Sequence, residues 1–150
     1  MTFQEKYKTS CIVDLIRKIM NFFNSAYEGI PPWDIGRPQK EIIRLGADGE
    51  ISGRVLDAGC GTGENALYLA HLDFEVWGID AASAAINKAI EKARERAISV
   101  NFLVSDALEL QLLWTKFDKG WKINYIREAE FETAFGPHDV KAWLSSITRL

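Results

Sequence analysis

The chain has 150 residues, of which 47% are hydrophobic, and its 18 Lys and Arg against 21 Asp and Glu leave a net charge of −3. That is one domain with enough apolar sequence for a core, and the mild acidity gives no general reason to bind nucleic acid or an anionic membrane. No apolar run reaches membrane-spanning length, and Met1–Lys8 is polar, without a signal-peptide core. Cys11 and Cys60 are far apart, and His71 and His138 have no ligand-spaced neighbours. Neither a disulfide framework nor a metal site is expected, and the default setting is a reduced cytoplasm.

In chain order, residues 11–28 predict an amphipathic helix. Ile12, Leu15, Ile16, Ile19, Phe22, Phe23 and Ala26 recur at helical spacing, with Arg17, Lys18, Asn21 and Asn24 on the other face. Gly29-Ile30-Pro31-Pro32 stops it, and Pro31, Pro32 and Pro38 predict an ordered, extended loop. A short helix over Gln39–Leu45 and a turn at Gly46 and Gly49 lead to a first strand, Arg54–Ala58. A helix over Glu64–Leu72, a strand over Glu75–Ile79, a helix over Ala82–Ala97 and a strand over Val100–Val104 follow. Right-handed crossovers then give the spatial order 3-2-1. Lys88–Arg96 mixes both charges at helical spacing and reads as a solvated helix face. Beyond residue 108 the pattern changes. Glu109–Thr115 is a short apolar segment, and Trp121–Arg127 alternates as a strand that Glu130–Thr133 extends. Phe135–Asp139 turns, and Ala142–Leu150 suits a closing strand or a short helix.

The first strand ends in Asp57-Ala58-Gly59-Cys60-Gly61-Thr62-Gly63-Glu64 and opens directly into a helix, and Asp80 ends the next apolar run. Such a turn at the carboxyl end of a parallel sheet is a nucleotide-cofactor site. A dinucleotide fingerprint needs a third glycine where Glu64 stands. The pattern is instead D-x-G-x-G-x-G, and it resembles motif I of the class I S-adenosylmethionine-dependent methyltransferases. Glycine lets the backbone approach the cofactor, and the helix start offers N–H groups to its carboxylate. Asp80, beside Ala81, would accept from the ribose hydroxyls. The resemblance extends to Asp106-Ala107, where the acid would accept from the adenine amino group; a helix cap is the plain alternative. Cys60 reads as a small side chain in a crowded turn.

Pro31-Pro32-Trp33-Asp34-Ile35-Gly36-Arg37-Pro38-Gln39 resembles the cofactor-capping loop of the thiopurine and halide/thiol methyltransferases. The resemblance places Trp33 on the cofactor and Arg37 nearby, on the substrate side. The plain alternatives are a loop aromatic pinned on the core and a salt bridge to Asp34 or another loop acid. Asp34 and Tyr27 are base candidates by position. The implied cofactor is S-adenosyl-L-methionine, with S-adenosyl-L-homocysteine as product.

The expected fold is therefore α/β, a Rossmann-like class I methyltransferase fold in shortened form. Residues 1–50 would hold the helix and capping loop, 51–115 the cofactor-binding unit and 116–150 a final strand pair. The family has seven strands in the order 3-2-1-4-5-7-6. Lys116-Phe117-Asp118 looks like the start of strand 4, and Lys119-Gly120-Trp121 already like the lead into strand 6. Two strands, two helices and their connections, roughly 50 residues, have no room there. The first strand then keeps an uncovered edge. Either the closing pair docks beside it, or a homodimer completes the sheet. The second is favoured, because the missing helices would also have covered a sheet face. The functional expectation is methyl transfer to a small nucleophile such as a thiol. The alternatives are an impaired S-adenosyl-binding remnant and a self-associating structural fragment.

Overall fold

A computed structural model describes residue 18 and residues 21–106, 121–134 and 140–149. The expected Glu109–Thr115 segment, the 135–139 turn, Ala107, Cys11, His138 and most of the expected helix before residue 21 lie outside these residues.

The described part of the first helix (α1) runs over 21–26. It is followed by α2 (Lys40–Ala47), β1 (Arg54–Ala58), α3 (Glu64–His71), β2 (Glu75–Asp80), α4 (Ser83–Glu95), β3 (Asn101–Val104), β4 (Trp121–Phe131) and β5 (Val140–Arg149). β1, β2 and β3 form one parallel sheet in that spatial order. The β-α-β-α-β pattern and its 3-2-1 arrangement are thus as the periodicity predicts. β2 is central and supplies Val76 and Ile79, which with Leu67 of α3 are the largest fully buried side chains. Burying each contributes about 1.5–3 kcal/mol.

Ala85, Ala89 and Ala93, one helical turn apart, form the buried face of α4, with Ala85 packed beside Tyr27 and Ala89 beside Gly63. Phe102 of β3 fills the space left by two glycines. A Cβ at Gly63 would come within 2.7 Å of the Phe102 ring, and one at Gly78 within 2.6 Å. These two glycines are therefore needed for close packing.

β4 and β5 pair antiparallel as a separate two-stranded sheet, with a register shift between Ile123 and Tyr125. The last segment is a strand and not a helix. The pair does not dock beside β1, which corrects the first of the two expected repairs; no described strand pairs with the outer edge of β1. The hairpin is anchored elsewhere. Ala134 N–H donates to Pro32 O (2.7 Å), Gln39 Nε2 to Glu132 O (3.1 Å) and Glu132 N–H to Gln39 Oε1 (2.7 Å). It therefore grips the proline-rich loop.

The orientation of α1 also needs correction. Phe22 and Phe23, expected on the inner face, are 63% and 40% exposed. Asn24, expected outside, accepts at Oδ1 from Ala84 N–H (3.2 Å) and Ser83 Oγ (3.3 Å). The N-cap residue of α4, Ala82, has no side chain that can cap, so an amide from α1 does so.

Candidate functional site

The site forms at the carboxyl ends of the parallel strands. Gly59, Gly61 and Gly63 have φ of 75°, 55° and 82°, a region costly for any residue with a Cβ. The amides of Gly59 and Cys60 both donate to Ile79 O, at 2.8 and 2.9 Å. The loop therefore folds over the end of β2 and begins α3 at Glu64.

Two carboxylates hold this turn. Asp80 accepts from Gly61 N–H at Oδ2 (2.9 Å) and from Ala82 N–H at Oδ1 (2.8 Å). Each oxygen keeps lone-pair capacity. The side chain expected to read a ribose thus also fixes the glycine loop and the bend through Ala81. Asp57, at the end of β1, accepts from the Ala66 amide. One of the open N–H groups expected at the start of α3 is therefore already taken. The other Asp57 oxygen, Oδ2, is buried without a hydrogen-bond partner. Burial pushes this carboxyl up to about 6; the Ala66 amide works against that and the Asp80 charge adds to it.

The proline-rich loop closes one side. Tyr27 is buried at the foot of α1, and its hydroxyl accepts from Trp33 Nε1 (2.9 Å). The rings meet edge-on at 6.2 Å, and Phe23 flanks Trp33 at 5.8 Å. A Cβ at Gly61 would lie 2.8 Å from the Tyr27 hydroxyl, so glycine is what permits this approach. The phenol is pushed up to about 12 chiefly by burial, against the lowering effect of the Trp33 bond. Asp34 accepts from Gly36 N–H (3.3 Å) and Thr62 Oγ1 (2.9 Å). Arg37 makes a two-point ion pair with Glu132, both contacts at 2.8 Å, and Lys40 N–H donates to the same carboxylate. The plain expectation of a salt bridge holds, but the acid comes from the hairpin. The Arg37 contact is the main reason that Glu132 is held down at about 2.

Cys60 is buried and unpaired, its sulfur faces Gly78, and burial pushes its thiol far up. It is an inert, small side chain. Asp106 follows β3, one residue beyond Ser105, whose amide donates to Asp80 O (2.9 Å). The two acids therefore share one end of the sheet.

Several residues were not legible in the sequence. Glu64 is nearly buried and accepts from Lys92 Nζ (2.8 Å) and from two Arg96 nitrogens (2.8 and 2.9 Å). Burial raises its carboxyl, but the two cations outweigh that and hold it below its ordinary value. Lys88 donates to Gly29 O (2.8 Å). The charged stretch of α4 is thus solvated at Glu91, Arg94 and Glu95, as expected, while Lys88, Lys92 and Arg96 are ties to distant groups. A helical wheel gives the spacing of these charges but not their partners, which lie far away in sequence.

Together these elements line an open cleft of about 260 Å³. Gly59, Cys60, Gly61 and Thr62 form its floor, Tyr27 and Trp33 one wall, and Arg37 and Phe131 the hairpin side. Among the described residues no group of His, Cys, Asp or Glu could hold a metal. No described helix is long and apolar enough to cross a membrane.

The chain is similar to known proteins in sequence and in fold. A family model described as a methyltransferase domain matches residues 55–150. A 2-heptyl-1-hydroxyquinolin-4(1H)-one methyltransferase of Mycobacteroides abscessus is 42% identical over 101 residues, 61% of this chain and 44% of that protein. A probable thiol methyltransferase of Arabidopsis thaliana is 29% identical over 125 residues, 81% of this chain and 52% of that protein. The chain thus spans about half the length of these relatives. A solved structure, from work on the conversion of a disulfide bond into a thioacetal group during echinomycin biosynthesis, superimposes with a TM-score of 0.70. It is 27% identical, over 87% of this chain and 92% of that one. A glycine loop held by Asp57 and Asp80 at the end of a parallel sheet, in a chain whose residues 55–150 fit the methyltransferase-domain model, makes this protein a member of the class I S-adenosylmethionine-dependent methyltransferases.

Proposed function

We propose that the chain binds S-adenosylmethionine over the glycine loop and transfers its methyl group to a small acceptor, a thiol or similar soft nucleophile. The single observation that carries the cofactor assignment is the orphaned, buried Asp57 Oδ2 beside the loop. A buried carboxylate oxygen without a donor is costly, and a cationic amino group would satisfy it. The open space at Gly59, where a Cβ would meet nothing within 4 Å, suits the same molecule. Asp80 and Asp106, with Ala81 and Ala107, would take the nucleoside end, and Gly61, Cys60 and Gly63 the amino-acid end. Trp33 would cover it. When bound, the cofactor supplies a methyl group already activated on a sulfonium sulfur.

The protein's part is then to align the acceptor and exclude water, which can supply up to about 7–11 kcal/mol of the barrier. Tyr27 and Trp33 wall the cleft, and Phe131 of the hairpin lines its far side. The acid–base inventory favours a thiol. Tyr27 stays neutral at about 12. Asp34 is engaged at both oxygens, and Glu64 is neutralised by two cations. An acceptor that ionises by itself fits such a site, and a free thiol with pKa about 8.5 gives a few per cent thiolate at pH 7. The thiol methyltransferase relative and the sulfur chemistry of the superimposed structure support the same class.

The test is incubation with S-adenosylmethionine and matched thiol, phenol and amine acceptors, with the methylated product read by mass. Methylation of thiols, rising with pH as thiolate forms, is expected. Transfer to amines or phenols but not to thiols would overturn the acceptor class. Absence of S-adenosylmethionine binding would overturn the cofactor assignment.

A further inference from the structure

We infer that Thr62 is a positioning residue that latches the capping loop onto the glycine loop, through a one-directional relay from Lys92 to Asp34. The inference rests on the cofactor reading for its ligand, but the latch itself is made of contacts within the chain. Thr62 is only 3% exposed. Its Oγ1 receives Lys92 Nζ at 2.7 Å and lies 2.9 Å from Asp34 Oδ2. An ammonium has three donors and no acceptor, whereas a hydroxyl has one donor and two acceptor sites. With Lys92 on a lone pair, the single Thr62 proton must point to Asp34.

Lys92 is itself anchored further back. Lys92 also donates to Glu64 Oε1 (2.8 Å), and Arg96 holds that carboxylate in place by two bonds. The order is therefore Glu64, Lys92, Thr62, Asp34. It runs from the first turn of α3 through α4 and the glycine loop into the capping loop. Neighbouring contacts make the attachment local. Trp33, next to Asp34, is held by Tyr27, and Gln39 N–H donates to Asn65 Oδ1 (2.9 Å). Asp34 is thus the point at which the middle of the loop meets the cofactor-binding turn. A ligand seated over Gly59–Gly61 would enter and leave past this contact.

Thr62→Val keeps the shape and removes the hydroxyl, and Thr62→Ser restores it. The first readout needs no ligand: amide hydrogen exchange over residues 31–39, where a charge-assisted bond predicts about tenfold faster exchange in T62V and near-normal exchange in T62S. The second is the kinetics of S-adenosylhomocysteine binding. T62V should speed both association and dissociation, the latter about tenfold. Unchanged exchange over 31–39 in T62V would overturn the latch, whatever the ligand data. Faster exchange with unchanged dissociation would overturn its role in holding the ligand. If the unaltered protein does not bind S-adenosylhomocysteine, the cofactor reading fails while the exchange result still decides the latch. Should T62V fail to fold, Thr62→Ala, which removes the same hydroxyl and leaves the Asp34–Gly36 contact intact, gives the same two readouts.

Discussion

Replacing Asp57 by Asn should stabilise the free protein at neutral pH and at the same time weaken its hold on the cofactor. The native carboxyl stands at about 6 against an ordinary value of 3.8, so ionising it in the fold is about two units harder. At about 1.4 kcal/mol per unit that is a penalty of about 3 kcal/mol, fully present above pH 7. Between pH 3.8 and 6 the native protein keeps a proton that the unfolded chain has released. Stability from this group is therefore greatest at the acid end and is lost as pH rises through the folded value. Asn carries no such slope. It keeps an acceptor for the Ala66 amide but leaves a buried N–H group without a partner, at about 1–2 kcal/mol. The net gain at pH 7.5 is about 1–2 kcal/mol. The sharper quantity is the change in the gap between the two proteins, about 2 kcal/mol from pH 4.5 to 7.5. Glu132, held at about 2, and Glu64, held below its ordinary value, lose their contributions as pH falls below this window and do not blur it. Denaturant unfolding of both proteins at several pH values measures the gap. Parallel stability curves would refute the reasoning, because the carboxyl would then cost the fold nothing. Calorimetry with S-adenosylmethionine should show affinity for the Asn variant down about tenfold or more, since Oδ2 no longer offers a charge.

Other changes test neighbouring contacts. Asp80→Ala should lower S-adenosylmethionine affinity by about 1.5–3 kcal/mol, by removing a charge-assisted contact and the anchor of the Gly61 amide; unchanged affinity would refute the ribose assignment. Gly63→Ala places a Cβ 2.7 Å from Phe102 at a φ of 82°. It should cost about 1–3 kcal/mol of stability in thermal or denaturant unfolding, and a neutral result would show that the loop relaxes freely. If a second copy completes the sheet along β1, light scattering should give twice the 16.9 kDa chain mass, falling on dilution; a constant monomer mass would exclude that arrangement.

What the sequence determined by itself was local and periodic. Alternation and helical spacing located β1, β2, β3, α3 and α4, because those signals depend only on which faces of an element are apolar. The D-x-G-x-G-x-G turn and Asp80 were equally legible, since three positive-φ positions force glycine and a strand end must carry the acid. Tertiary structure decided the partners. Arg37 meets Glu132, 95 residues away, Lys92 meets Thr62 and Glu64, and Asn24 caps α4. Each is a long-range polar contact, and composition and spacing carry no information about which distant group comes within 3 Å. The hold of Asp80 on the Gly61 and Ala82 amides and the orphaned oxygen of Asp57 belong to the same class. They arise because the glycine loop folds over β2, and only the folded chain brings those carboxylates to the backbone they hold.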